Sequence, residues 1–155
     1  DPDEMMFHMN NDLFKTKTGG MFVTSILGDY NIITKEIRWV NGGHQPALIR
    51  DNNGNYEKFE SNSPPLGVIS QKDKSTYKTN TKQLNNHRFY TFTDGLSESF
   101  DEKGEEIGID GSIKIIENNY NKDLNEQLLN VTKEVIRTAG DKKLSDDLTL
   151  LSIGK

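Results

Sequence analysis

Asp94 follows a compact run of β-forming residues, Arg88 to Thr93, and is itself followed by Gly95; Asp146 and Asp147 immediately precede a second such run, Leu148 to Ile153. If the two runs pair as antiparallel strands of one sheet, the end of the first and the start of the second share an edge. Carboxylates would then converge on a rigid frame that water can enter. That is how an oxygen-ligand site for a hard divalent ion such as Mg²⁺ or Mn²⁺ is assembled. Taken singly, Asp-Gly after a strand reads as a turn, and Asp-Asp before one reads as a solvated loop. His44, in Gly42-Gly43-His44-Gln45-Pro46, is a further candidate. A lone histidine in a glycine loop is more often a structural hydrogen-bonder than a general acid. No Gly-rich phosphate loop and no Ser-His-Asp spacing is legible, and the absence of cysteine removes thiol nucleophiles and thiolate metal sites.

The elements that must position these residues follow from periodicity. Met5, Met6, Met9 and Leu13 recur at helical spacing behind Pro2 and ahead of Gly19-Gly20, which predicts a first helix with a methionine stripe packed in the core. Met21 to Leu27 and Ile32 to Val40 read as two strands of a hairpin joined by Gly28-Asp29-Tyr30-Asn31. A sharp loop, Asn41 to Pro46, leads to a strand at Ala47 to Arg50. The turn Asp51-Asn52-Asn53-Gly54 precedes another at Tyr56 to Phe59. Two prolines make Ser63 to Val68 irregular, and Ser75 to Thr79 reads as an edge strand. Ile113, Ile115 and Ile116 mark a short helix. Residues 123–138 form a longer one, with Leu124, Leu128, Val131, Val135 and Ile136 on one face and Gly140 as its stop. Strands in a block followed by helices predict an α+β fold with mostly antiparallel pairing.

Bulk properties exclude several classes. The 155 residues suit one domain, 28% are charged, and no apolar run approaches membrane-spanning length. A net charge of −5 argues against nucleic-acid binding. The lack of cysteine suits a cytoplasmic location, and no signal peptide opens the chain.

Five motifs in order carry a resemblance: Gly20-Met21-Phe22-Val23-Thr24, Val40-Asn41-Gly42-Gly43-His44-Gln45-Pro46, Pro64-Pro65-Leu66-Gly67, Tyr90-Thr91-Phe92-Thr93-Asp94-Gly95-Leu96-Ser97-Glu98, and Ser145-Asp146-Asp147-Leu148-Thr149-Leu150-Leu151. Together they resemble the PPM-type, metal-dependent type 2C phosphatases, within them the bacterial branch typified by SpoIIE and RsbU. The resemblance implies an antiparallel β-sandwich flanked by helices, with its metal site at one edge. It implies that Asp94 and Asp146 are metal ligands, with Asp147 second to Asp146, and that Gly95 allows the turn that aims Asp94. The Asn41–Pro46 loop, His44 included, is shared by the branch without being a ligand motif and is expected to be supporting. The implied reaction is a two-metal (Mn²⁺ or Mg²⁺) hydrolysis of phosphoserine or phosphothreonine on a protein, for this branch a small anti-sigma-factor antagonist. An upstream sensor or receiver domain is implied as well.

The chain departs from that pattern at its start, Asp1-Pro2, where nothing corresponds to the family's first acidic motifs. Asp1 and Asp3 open a helix, and Asp29 is expected in a hairpin turn. Residues 1–155 are therefore expected to be the C-terminal part of a single phosphatase domain, incomplete at the N-terminus and inactive or nearly so alone. A homodimer that covers exposed sheet edge is an expected consequence. Two other readings stay open: a non-catalytic phosphatase-fold module that binds a partner, and a lectin-type β-sandwich. The latter needs an aromatic platform, whereas the single Trp39 falls inside a strand.

Overall fold

The computed structural model describes residues 1–16, 19–139 and 146–154. In chain order they form helix α1 (Pro2–Lys15), strands β1 (Ser25–Asn31), β2 (Glu36–Gly42), β3 (Ala47–Arg50) and β4 (Tyr56–Phe59), and a 3-10 turn at Lys74–Thr76. Strands β5 (Asn80–Gln83) and β6 (Arg88–Phe92), helices α2 (Asp94–Ser97), α3 (Gly108–Asn118) and α4 (Leu124–Ala139), and strand β7 (Leu150–Gly154) follow. The fold is mixed α+β with two antiparallel sheets, ordered β1-β2-β5 and β4-β3-β6-β7. The chain divides into two compact units, Asp1–Pro46 with Lys58–Asn85 and Ala47–Glu57 with Asn86–Lys155.

In the first unit, α1 starts on Pro2, whose missing N–H costs nothing there, with Asp3 and Glu4 in its first turn and Lys15 in its last. Its buried face is Pro2, Met6 and Asn10, and Met6 packs with Val40, Leu66 and Tyr77. The methionine stripe is thus overturned as a core face: Met5 and Met9 are 55% and 46% exposed. Asn10 holds the central buried position because its side chain accepts from Gly67 N at 2.9 Å and donates to Ile69 O at 3.1 Å, which satisfies a buried amide.

The hairpin forms, four residues out of the expected place. The segment Gly28–Asn31 lies in β1, and the turn is Ile32–Lys35, while Met21–Val23 contributes a single bridge between Val23 and Leu66. Asn31 decides this. Its Oδ1 accepts from Ile33 N and Thr34 N at 2.9 and 3.0 Å, and Lys35 closes the turn at φ 61°. Asp29 consequently stands in β1 opposite Arg38, which grips it through Nε and NH2 at 3.1 and 2.8 Å. Gly28 faces Trp39, and a Cβ there would lie 2.4 Å from Arg38 O. Trp39 is only 1% exposed and so is not a platform on which a sugar could stack. The edge strand expected at Ser75–Thr79 is instead the 3-10 turn, capped by Asp73 onto Ser75 N at 2.8 Å, and the strand follows as β5.

In the second unit, Leu48, Tyr90, Phe92, Leu96, Ile116, Val131 and Val135 form one core. Alternation sends Tyr90 and Phe92 of β6 into it. The inner face of α4 is Gln127, Val131, Val135 and Ala139, and Ile136, expected on that face, is 54% exposed. Ile136 follows Val135 directly, a 100° step around the helix that carries it off the stripe. The stop expected at Gly140 lies outside the described residues.

Two hydrogen-bonded networks in this unit centre on buried arginines, while the buried hydroxyls of Thr91 and Ser152 have no partner among the described residues. Arg88, 1% exposed, donates to Asn121 O and Gln127 Oε1 at 2.6 Å each, and Gln127 Oε1 also accepts from Tyr90 OH at 3.1 Å. Arg50 grips Glu117 through Nε and NH2 at 2.6 and 2.8 Å, Tyr56 OH donates to the same carboxylate at 2.9 Å, and the Arg50 guanidinium lies 3.7 Å over the Tyr120 ring. Two turns share one construction. Asp51 Oδ1 accepts from Asn53 N and Asn55 N, and Asp101 Oδ1 accepts from Lys103 N and Glu105 N. Each turn has a glycine at position four, with φ 85° at Gly54 and 84° at Gly104.

Two predictions follow from this packing. Gly28→Ala should destabilise the chain by about 1–3 kcal/mol in urea denaturation, because backbone must move to admit the methyl; an unchanged midpoint would mean the β1–β2 pairing at Trp39 is looser than described. The hydrogen bond from Arg50 holds the Glu117 carboxyl below the ordinary carboxylate range, against the opposing effect of burial. A depressed carboxyl contributes stability that is full above its unfolded pKa and lost as pH falls through the folded one. The carboxylate is partly exposed and screened by water, so Glu117→Gln should be about 1 kcal/mol less stable than the parent at pH 7. That gap should shrink in acid; one that widens would contradict the pair.

Candidate metal centre

Strand β6 pairs with β7 from Arg88↔Gly154 to Phe92↔Leu150. Because the strands are antiparallel, residues just beyond Phe92 lie beside residues just before Leu150. The edge foreseen from the sequence exists, and Thr93 N donates to Thr149 O at 3.0 Å one residue past the regular pairing.

Asp94 is the first residue of α2, directly after Thr93 in extended conformation (φ −75°, ψ 161°). The main chain behind it is fixed: Glu98 N donates to Asp94 O at 2.7 Å, and Ser99 Oγ donates to Gly95 O at 2.6 Å. The Asp94 side chain is half-buried and its carboxylate accepts no hydrogen bond among the described residues. Asp146 and Asp147 are exposed, and Asp146 Oδ1 accepts from Asp147 N at 2.7 Å.

Gly95 sets how closely the two segments approach. A Cβ there would lie 2.5 Å from Asp147 O and 3.0 Å from Asp146 O, so any larger residue would push the acidic segment away from the turn. Thr93, which no motif reading singled out, reaches across the same gap. Its Oγ1 donates to Asp147 O at 2.7 Å and accepts from Thr149 N at 2.9 Å. A threonine before Asp-Gly is visible in the sequence, but the bond depends on strand pairing and could only be seen once the partner segment was known.

The structure thus brings the Asp94 turn against the Asp146–Asp147 segment. Among the described residues, no three or more His, Asp or Glu side chains cluster closely enough to hold a metal ion. His44 lies in the first unit. Its loop is built by Asn41, whose Oδ1 accepts from His44 N at 2.9 Å and whose Nδ2 donates to Gln45 O at 3.0 Å. The His44 ring nitrogen Nδ1 lies 3.4 Å from Thr24 Oγ1. An open pocket of about 820 Å³, lined among others by Asn86, Tyr120, Lys122 and Gly154, sits at the opposite end of β6 and β7 from Asp94. No helix among the described residues is long and apolar enough to cross a membrane.

Known proteins share this arrangement of elements. The chain is 22% identical over 149 residues to Protein IcfG of Synechocystis sp., covering 94% of this chain and 23% of that protein. It is 26% identical over 93 residues to the phosphoserine phosphatase RsbP of Bacillus subtilis, covering 60% of this chain and 23% of that protein. It spans, then, about a quarter of the length of the curated relatives it matches. In three dimensions it superimposes on the SiaA-PP2C domain of Pseudomonas aeruginosa with a TM-score of 0.82 at 15% identity, over 100% of this chain and 61% of that one. A Mn-presoaked structure of the SpoIIE phosphatase domain from Bacillus subtilis gives 0.67 at 19% identity, over 98% and 65%. The sequence model of the SpoIIE family, Stage II sporulation protein E, matches residues 1–154, and the chain belongs to that family.

Proposed function

We propose that the protein containing this chain hydrolyses phosphoserine or phosphothreonine on a protein substrate in a reaction that depends on Mn²⁺ or Mg²⁺, and that its substrate is a small phosphorylated anti-sigma-factor antagonist. The observation that carries the reading is the close approach of the Asp94 turn to the Asp146–Asp147 segment at the shared end of β6 and β7. Membership of the SpoIIE family and similarity to a phosphoserine phosphatase support the reaction class.

The donor set fits a hard divalent ion: Asp94, Asp146 and Asp147 offer carboxylate oxygens on pinned backbone, with no sulfur or nitrogen among them. Asp94 and Asp146 would be the ligands, and Asp147 the second choice, one residue further along. When bound, divalent metal supplies an activated water and offsets the charge of the phosphate. The chain's own residues orient and hold. The bonds to the Asp94 and Gly95 carbonyls fix the turn. Absence of a side chain at Gly95 lets the two acidic segments meet. The bond from Asp147 N to Asp146 Oδ1 holds the Asp146 carboxylate against its own segment. No covalent phosphoenzyme is required, consistent with a chain that contains no cysteine.

Residues 1–155 are read as part of one phosphatase domain whose described carboxylates furnish only some of the ligands two ions need, so this chain alone should be inactive or nearly so. The second reading is a non-catalytic module that keeps the fold for partner binding.

Calorimetric titration of Mn²⁺ separates the two. Weak binding, lost in both Asp94→Ala and Asp146→Ala, supports a partial phosphatase site, whereas binding indifferent to both substitutions removes these aspartates from it and leaves the module. Gly95→Ala should weaken Mn²⁺ binding about tenfold while retaining every carboxylate; unaltered affinity would show that close approach of the segments is dispensable.

A further inference from the structure

Thr93 directly follows β6 and stands at the N-cap of α2, and its side chain reaches the Asp146–Asp147 segment. The hydroxyl accepts from Thr149 N at 2.9 Å, so its own proton is committed to Asp147 O at 2.7 Å. Branching at Cβ leaves threonine few χ1 rotamers, which holds that geometry. The two bonds flank Leu148, whose side chain packs against the second unit's core, so residues 147–149 are fixed from both sides. The bond between Asp146 Oδ1 and Asp147 N, by contrast, is internal to the acidic segment and does not locate it relative to Asp94. The regular β6–β7 ladder ends at Phe92↔Leu150, three residues short of Asp147.

We infer that the Thr93 hydroxyl is a positioning residue for cation binding: it brackets Asp147 and Thr149 and so sets where the Asp146 and Asp147 carboxylates stand relative to Asp94. The inference rests on the reading of Asp94 and Asp146 as cation ligands. Thr93 itself touches no ion; its oxygen has both of its roles filled by the backbone of residues 147 and 149. Loss of the hydroxyl leaves the Asp147 carbonyl without its donor and the Thr149 amide without its acceptor. The main-chain bond from Thr93 N to Thr149 O remains in place. Freedom therefore returns to the acidic segment and not to the strand. Groups that hold metal ligands in place typically matter to metal affinity by about 10–100-fold.

The test uses the 155-residue chain and Mn²⁺ alone. Paramagnetic broadening of assigned amide resonances near Asp94 and Asp146 is followed over a millimolar Mn²⁺ titration, which reads weak binding. Thr93→Val should raise the Mn²⁺ concentration for half-broadening about tenfold or more, and Thr93→Ser should restore it to within about twofold. Amide shifts of β3 report that each variant is folded. A Thr93→Val chain that melts lower yet is half-broadened at the parental Mn²⁺ concentration overturns the inference, because the hydroxyl would then be structural only. Failure of the underlying reading looks different: broadening would be absent in the parent, or would survive Asp94→Ala, and the inference falls with it. Should Thr93→Val not fold, the parent answers instead. Added Mg²⁺ should slow hydrogen exchange at the Thr149 amide, since an ion that favours the bracketed segment must stabilise the bracket; unchanged exchange overturns the inference.

Discussion

Strand β6 is the constraint on which the second unit rests. It is paired on both edges, with β3 at Leu48↔Tyr90 and with β7 from Arg88 to Phe92, so neither its register nor its direction can change without undoing two ladders. Its alternation fixes the rest. Tyr90 and Phe92 point into the core with α3 and α4, and Arg88 ties down the carbonyls that connect those helices. At its other end the same strand delivers Thr93 and Asp94 to the sheet edge. A slip of one residue would turn Tyr90 out of the core and move Asp94 away from Asp146 together, because side chains alternate faces with a period of two. Core and acidic edge are consequences of one register.

Arrangement at that edge was legible from the sequence for a physical reason. Antiparallel pairing is a strong rule, so two β-runs with acids at matched ends imply a shared edge before any coordinates exist. Strands β3, β4, β6 and β7 and helices α3 and α4 could be read in place because their apolar residues are continuous and their turns carry Gly, Asn and Asp. What was misread depended on a single polar side chain outranking pattern. Asn10 sits buried in α1 where Met5 and Met9 appeared to define the inner face, since two backbone partners from a distant loop satisfy it. Asn31 nucleates the hairpin turn by local bonds, which moves β1 past the glycine that looked like its end. Asp73 does the same where an edge strand was expected. Thr93 was invisible as a functional position because its partners lie more than fifty residues away.

Electrostatics in this chain are arranged locally. Arg38 is shared between Asp29 and Asp1, Arg50 is held by Glu117, and Arg88 is satisfied by carbonyls. The exposed pairs contribute little each, since water and salt screen them. Asp51, chiefly through the Asn55 side-chain amide and then backbone amides of its turn, and Asp101, through backbone amides of its own turn, are both held below the usual carboxylate range. The carboxylates of Asp94 and Asp147 also accept no bond among the described residues, and of the carboxylates in that position these two stand beside the paired ends of β6 and β7. Acids that do no structural work on otherwise pinned backbone are the natural places for a cation to enter.

The division into units is not a division of the polypeptide. One unit takes Asp1–Pro46 and Lys58–Asn85, the other Ala47–Glu57 and Asn86–Lys155, so the backbone passes from one to the other three times. No single cleavage yields two self-contained pieces, and a segment excised at any one boundary leaves β3 or β6 without its neighbour in sequence or in the sheet. Order of synthesis matters within the sheet as well: β3 can pair with β4 soon after both are made, but its other edge waits for Tyr90, about forty residues further on, which places a long loop closure on the route to the second core. A nascent chain of this segment therefore leaves one edge of β3 unpaired until β6 has been made.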